Sequence, residues 1–378
     1  MKILILTAHF NPEIHPRAFR ADELAREFSS KNHDVTVMTL RTITSFDYAE
    51  HERITGIKII RLNLYNRQNV LYKKKYISSS RLSLFVKRKL RFVIEYLIGG
   101  RLFINSIKIK NALDLNNRYD MVIALSTPFM NLLGLALFIR KNKHPNTLYV
   151  ADSGDPFYRS QQIKRAFYFY FIEKYVYQKF DYLSVPAKAS MSAYTGLIED
   201  YKIKIIPQGF NLEKVKLNKP SEHGKIIFAY SGVFYLDIRN PEFLFKTLLK
   251  LDVDFRFDIY LRERDASVSK LIKTYQDKLG DKLNIKYGLK REDLIYELSS
   301  VDFLINIENK TTNQIPSKLI DYAITRRPIY SCNSQNYNEK DFIKFLNRNY
   351  SSSKYIDASK YDIKLIAEEF ISLLKSGE

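Results

Sequence analysis

In the stretch Asn313-Gln314-Ile315-Pro316-Ser317-Lys318-Leu319-Ile320-Asp321-Tyr322, a lysine and an acid stand at the head of a segment with an apolar face. Ser317 and Lys318 open a helix expected to run to Thr325. The free N–H groups of its first turn attract an anion such as a diphosphate, and the lysine adds a full charge. Asp321 lies four residues beyond Ser317, one turn in and on the same face, where a carboxylate accepts hydrogen bonds from ribose hydroxyls. A cation for phosphate beside an acid for ribose describes a nucleotide diphosphate. The plainer alternative is a capped amphipathic helix. A second stretch, Tyr230-Ser231-Gly232-Val233-Phe234-Tyr235-Leu236-Asp237-Ile238-Arg239-Asn240-Pro241, follows an apolar run. Gly232 lets the backbone approach a ligand, Arg239 offers a fork matched to phosphate, and Pro241 suits the first turn of a helix. Here the plainer alternative is a tight turn with a surface arginine.

Three other stretches invite chemistry. Asn11-Pro12-Glu13-Ile14-His15-Pro16-Arg17 follows the first apolar run and delivers His15 and Arg17 to a helix N-terminus. It lacks the G-x-G-x-x-G of a dinucleotide site, which disfavours a nicotinamide enzyme. Asp152-Ser153-Gly154-Asp155-Pro156 also follows an apolar run; Asp152 and Asp155 are candidates for orienting a sugar, against a loop-capping role. Asp252-Val253-Asp254 spells the D-x-D of metal-dependent sugar transfer, but it precedes an alternating strand instead of following one. With the single cysteine Cys332 and six scattered histidines there is no disulfide and no zinc-ligand spacing. No metal and no cofactor are expected.

Strands and helices must alternate to place such loops. Ile3–Phe10, Val35–Leu40, Met121–Leu125, Leu148–Ala151 and Tyr182–Val185 read as buried strands, with a helix over Arg17–Phe28 and another opened by Ser126-Thr127-Pro128, a capping residue ahead of a proline. Pro207–Lys225, with two prolines and two glycines, reads as a linker. Alternation restarts with strands at Ile226–Tyr230, Phe255–Leu261, Leu283–Tyr287 and Phe303–Ile307, separated by helices. The expected fold is α/β, with two Rossmann-like doubly wound domains facing a cleft: residues 1–206, a linker at 207–225, and 226–362. A terminal helix over 363–378 can pack back on the first domain. In open sheets of this kind ligands bind outside the carboxyl ends of the strands.

The chain has 378 residues, 46% of them hydrophobic, enough for large cores, and carries a formal charge of +20. Between Gln68 and Lys110 eleven lysines and arginines face Glu95 alone, a net of +10 interleaved with Leu90, Phe92, Val93, Tyr96 and Leu97. Such a segment suits an anionic membrane surface or an ordinary solvated helix with an apolar side. Nucleic acid is the third option, but no recognised module accompanies it, and it is not expected as a partner. The opening apolar run ends in Asn11-Pro12 without a cleavage site, so it is a strand and not a leader. A cytoplasmic protein, peripheral at the inner face of the plasma membrane, fits these features.

At these same residues the sequence resembles glycosyltransferase family 4, of the bacterial polysaccharide-biosynthesis type, over nearly its whole length. NPEIHPRAFRADELAREF followed by NHDVTVMTL resembles the family's opening, EKYVYQKFDYLSVPA its mid-chain helix and strand, and IIPQGFN the start of its linker. YSGVFYLDIRNPEFL resembles the donor phosphate loop, YGLKREDLIYELSSVDFLIN the base-side segment, and QIPSKLIDYAITRRPI the donor helix. The resemblance implies a GT-B fold and sugar transfer from a UDP- or GDP-sugar to a glycan or lipid-linked acceptor, with retention and without a metal. It implies catalytic roles for Arg239 and Lys318. Gly232, Tyr235, Leu289, Asn313, Gln314, Pro316, Ser317 and Asp321 would bind the donor, and Asn11, His15, Arg17, Asp152 and Asp155 would orient acceptor or sugar. The family's paired donor-helix acids fall on Asn313 and Asp321, so only the second is acidic here. Val233 replaces the arginine that follows the phosphate-loop glycine, and Ile14-His15-Pro16 replaces a glycine pair. A non-catalytic nucleotide-sugar-binding or scaffold protein of the same fold is the alternative.

Overall fold

The computed structural model describes the chain apart from residues 14, 42, 44, 66–80, 114–116, 161–162, 220–223, 237–238, 262–264, 309–317 and 376–378, and apart from the side chains of residues 41, 65, 81–88 and 91. It divides into two compact units, Met1–Phe210 with Ile363–Glu378, and Asn211–Asp362.

The first unit is a seven-stranded, all-parallel sheet. Its strands are β1 (Lys2–Thr7), β2 (Asp34–Arg41), β3 (Lys58–Tyr65), β4 (Met121–Leu125), β5 (Leu148–Asp152), β6 (Tyr182–Val185) and β7 (Ile203–Ile205), in the order β3-β2-β1-β4-β5-β6-β7. β4 and β6 are buried at every residue, which is why they read as unbroken apolar runs. The helices are α1 (Pro16–Ser30), α2 (Tyr48–Thr55), α3 (Arg81–Ile98), α4 (Leu102–Ala112), α5 (Met130–Asn142) and α6 (Phe169–Tyr177). One face of the sheet packs Ile3, Ile5, Val37 and Ile123 against Leu24 and Phe28 of α1. The other packs Leu4, Leu6, Val122 and Ala124 with Leu132 and Ala136 of α5.

α5 begins later than its sequence suggests. Its N-cap is Phe129, without a side-chain cap. The hydroxyl of Ser126, expected to cap the helix, instead accepts from Ser153 Oγ at 3.0 Å inside the core.

The second unit has five parallel strands, β8 (Ile226–Gly232), β9 (Phe255–Leu261), β10 (Leu283–Tyr287), β11 (Phe303–Ile307) and β12 (Ile329–Cys332), in the order β10-β9-β8-β11-β12. Helices α7 (Glu242–Leu248), α8 (Ala266–Leu279), α9 (Arg291–Ser299), α10 (Lys318–Thr325) and α11 (Glu339–Leu346) cover it. A stack of Phe228 between Phe257 (4.8 Å) and Phe303 (4.9 Å) fills one face. The last helix, α12 (Ile363–Lys375), belongs to the first unit, where Ile366, Ala367 and Phe370 join the α1 core. Its first amide donates to the Phe210 carbonyl at 2.9 Å.

Candidate functional site

Each sheet reverses its direction of winding once, between β1 and β4 in the first unit and between β8 and β11 in the second. A crevice opens at the carboxyl ends of the strands at such a point. In the second unit β8 ends there at Gly232, with φ +131°, a conformation that favours glycine. A Cβ at this position would lie 3.4 Å from the Tyr230 hydroxyl and 3.7 Å from Cδ of Lys318.

Lys318 is the first residue of α10 and only 7% exposed. Its Nζ donates to the Ile307 carbonyl at 3.3 Å and lies 4.4 Å from the centre of the Tyr230 ring. Tyr322, one turn further, accepts from the Ser231 amide (2.8 Å) and donates to the Ile305 carbonyl (3.0 Å), which ties α10 to both β8 and β11. Burial, together with the like charge of Arg239, holds the Lys318 ammonium well below the ordinary lysine pKa. The Arg239 guanidinium sits 5.1 Å from the centre of the half-exposed Tyr235 ring, and its buried Nε has no hydrogen-bond partner among the described residues. No carboxylate among the described residues pairs with either cation. Glu308, the acid whose charge reaches Lys318, accepts from Ser331 (2.8 Å) and Lys354 (3.1 Å) instead. Two cations without a counter-ion among the described residues, at the carboxyl ends of β8 and β11, are arranged to receive an anion.

Asp321 is engaged within the protein. Arg291, the first residue of α9, approaches one carboxylate oxygen with Nε at 2.8 Å and Nη2 at 2.7 Å. Burial keeps the Asp321 carboxyl above its ordinary pKa in spite of that arginine. Leu289 packs against the cluster containing Leu319 and Tyr322. Asn313, Gln314, Pro316 and Ser317 lie outside the described residues. Arg291 escaped the sequence reading, although it too follows the end of a strand.

In the first unit the charges close on themselves. Asp152, at the end of β5, is 1% exposed and accepts from Arg20 Nε (2.6 Å) and Nη2 (2.8 Å), from Arg17 Nη1 (3.2 Å) and from Ser184 Oγ (2.5 Å). The two arginines hold its carboxyl below the usual range, outweighing its burial. Asp152, a candidate for orienting a sugar, holds Arg17 and Arg20. Gly154 makes room for this, since a Cβ there would fall 1.7 Å from Nη2 of Arg17. Asp155 is exposed. His15 caps α1, accepting from the Arg17 amide at 3.2 Å, and its ring stacks at 3.8 Å on His9, whose Nδ1 is 2.6 Å from Glu13. Asn11 is half-buried in the same loop. Arg20 and the buried Glu173, which accepts the Phe157 and Tyr158 amides at 2.7 and 2.9 Å, were not legible as parts of this end of the sheet.

Asp252 and Asp254 precede β9 and so lie at the amino edge of the second sheet, away from Gly232 and Lys318. Among the described residues no three His, Cys, Asp or Glu side chains gather as a metal site.

No protein-family model matches the chain. No curated protein matches it in sequence. Solved structures do match it along its length. A lipopolysaccharide outer core galactosyltransferase, WaaB, in its apo form is 13% identical with a TM-score of 0.60, both chains fully covered. Anabaena HepE, in complex with UDP-glucose, is 11% identical at 0.61, again with full coverage. TarM is 10% identical at 0.62, with 99% of this chain and 98% of that one covered. The chain therefore has the two-domain, parallel-sheet α/β fold of GT-B glycosyltransferases.

Proposed function

We propose that the protein is a glycosyltransferase that moves a sugar from a UDP- or GDP-sugar to a glycan or lipid-linked acceptor in bacterial surface polysaccharide synthesis. The observation that carries this reading is the pair Lys318 and Arg239, two cations without a carboxylate partner among the described residues, at the switch point of the second sheet. A buried ammonium with no anion is costly unless a ligand supplies one. The names of similar structures support the choice of ligand, since one is a galactosyltransferase and another holds UDP-glucose.

In the reaction the bond between the anomeric carbon and the diphosphate oxygen breaks, and the electron pair leaves with the diphosphate. Lys318 and Arg239 meet that developing charge with fixed positive charge, as preorganised electrostatic stabilisation requires. The acceptor hydroxyl oxygen bonds to the anomeric carbon and passes its proton to the departing diphosphate. Asp321, held by Arg291, is the candidate grip on ribose, and the Asn11–Arg17 loop with Asp155 is the candidate acceptor side in the first unit. Retention and independence from metals belong to this reading through the family resemblance, and work on the cytoplasmic side of the membrane through the composition and the basic segment.

The test is release of free nucleoside diphosphate from a panel of UDP- and GDP-sugars with candidate acceptors, in EDTA and with manganese. Turnover that survives EDTA and disappears in Lys318→Ala is the expected result. Tight donor binding without any release would favour the non-catalytic binding protein. Activity found only with manganese would overturn the metal-free mechanism.

A further inference from the structure

The first unit carries an apolar face that is turned outward. α4 buries Asn105 and Ser106, with Ser106 Oγ donating to the Leu102 and Met130 carbonyls, while Phe103, Ile104 and Ile107 stand in solvent. The same helix sends Leu102 and Ile109 into the core, so α4 is apolar on both sides, where a helix on a globular domain usually keeps one apolar side, toward the core. The start of α6 is two-sided in the same way, with Phe169 buried. Glu173 is fully buried there, whereas Phe171 is 61% exposed and Phe167, just before the helix, 71%. Between them the end of α3 exposes Leu90, Phe92, Val93, Ile94, Leu97 and Ile98 within nine residues.

These pieces form one surface. The Ala166 amide donates to the Tyr96 carbonyl at 3.2 Å, the Tyr168 hydroxyl bonds the Leu97 carbonyl, and the backbone at Gly99 comes up against Leu102 and Phe169. The α3 end, the α4 start and residues 163–171 are thus fastened together. Exposed apolar patches of this extent mark an interaction site. Basic side chains surround it, with Lys89, Arg101, Lys108 and Lys164 all exposed. The nearby acid Glu95 lies 3.9 Å from Arg165.

We propose that this composite face, and not the basic segment alone, docks the protein on an anionic lipid surface, with Ile104, Phe167 and Phe171 entering the interface and the lysines meeting headgroups. Among the described residues no helix is long and apolar enough to cross a membrane, so the contact is interfacial. Charge complementarity selects lipid over a second copy of the chain. A self-complementary dimer would press two basic faces together, each carrying Lys89, Arg101, Lys108 and Lys164.

The chain contains no tryptophan, so Phe171→Trp places a single fluorescent reporter on the face. The full chain carrying it is mixed with vesicles of neutral phosphatidylcholine, with or without anionic phosphatidylglycerol. A blue shift and quenching by brominated acyl chains are expected only with the anionic lipid, and both should weaken as salt rises. In sedimentation with the same vesicles, Ile104→Ser with Phe167→Ser, and separately Lys89→Glu with Lys108→Glu and Lys164→Glu, should each lower partitioning at least tenfold while circular dichroism stays unchanged. Binding that ignores the serine pair would overturn the composite face, leaving charge as the whole attraction. A dimer in sedimentation velocity that the serine pair dissociates, together with no vesicle binding, would assign the face to a second copy and overturn the lipid proposal.

Discussion

The two units bury charge at the carboxyl ends of their strands in opposite ways. In the first, Asp152 has both oxygens taken by Arg17, Arg20 and Ser184, and Arg20 also donates to the carbonyls of Ile206 (3.1 Å) and Pro207 (2.5 Å). The cluster satisfies itself and joins β5 and β6 to α1 and the end of the unit. In the second, Lys318 has a carbonyl and an aromatic face but no acid among the described residues, and Arg239 adds a second positive charge. A self-satisfied cluster is architecture, whereas an unsatisfied one is a site that awaits a ligand. The distinction can be broken by substitution, because the two clusters should respond to it in different observables.

The largest effect is expected at Asp152. Asp152→Ala leaves Arg17 and Arg20 buried without their anion, and breaking a buried pair costs about 3–5 kcal/mol. In thermal unfolding that corresponds to a fall on the order of 10 °C for a unit of this size. The same group gives a pH signature. Its folded pKa lies below the ordinary carboxylate value, so its stabilisation is complete above that value and is lost as pH falls through the acid range. Asp152→Asn should flatten the acid limb of the stability profile. A wild-type melting temperature in Asp152→Ala would remove the architectural reading of the first cluster.

Lys318→Met should reverse the pattern. Removing a buried charge that lacks an acid leaves the melting temperature unchanged or raises it. The rate constant for sugar transfer should fall about 100- to 1000-fold, the usual scale for deleting one preorganised group that stabilises developing charge. Loss of stability in step with loss of activity would make Lys318 a structural residue like Asp152.

This contrast was only half legible in the sequence. Met121–Leu125, Tyr182–Val185 and Phe303–Ile307 were readable because a parallel strand covered on both faces is a nearly continuous apolar run, while Phe255–Leu261 and the edge strand Leu283–Tyr287 were readable from alternation between apolar and polar residues. β3 at the sheet edge, KIIRLNLY, mixes charge into its run and gave no such signal. Lys318 and Gly232 could be singled out because each stands at a strand-to-helix connection. That neither Lys318 nor Arg239 has a carboxylate partner among the described residues could not be seen, because pairing is a tertiary property. Arg20 reaches Asp152 across 132 positions and Arg291 reaches Asp321 across 30, distances over which local spacing says nothing. The outward turn of Phe103, Ile104 and Ile107 was hidden for the same reason. Periodicity finds an apolar stripe but not which way it faces.

Asp321 tests the comparison from inside the second unit, since it is paired like Asp152 yet lies three residues from Lys318. If it grips ribose, it contributes equally to ground and transition states. Asp321→Asn should then raise the donor KM about 10- to 100-fold, for loss of a charge-assisted hydrogen bond of about 1.5–3 kcal/mol, with kcat nearly intact. Arg291→Lys, which keeps the charge but not the fork, should give a smaller rise in KM alone. A fall in kcat matching that of Lys318→Met would move Asp321 into the group that acts on the leaving diphosphate.

The smallest effect is a count of protons, and it asks whether the unmatched cation is what the ligand meets. Burial and Arg239 hold the free Lys318 below the ordinary lysine pKa. A bound diphosphate supplies the missing negative charge, stabilises the ammonium and raises that pKa again. Between the free and bound values, binding must therefore take up protons, approaching one per ligand, and affinity for the nucleoside diphosphate must weaken as pH rises through that window. Calorimetry in two buffers of different ionisation enthalpy reads the uptake directly. The phosphate's own titration is common to wild type and Lys318→Met, so the difference between the two proteins isolates the lysine. An uptake of up to one proton in wild type that is absent in the variant is the expected result. Equal proton exchange in both would mean that the diphosphate does not sit against Lys318, and the second cluster would then be as closed as the first.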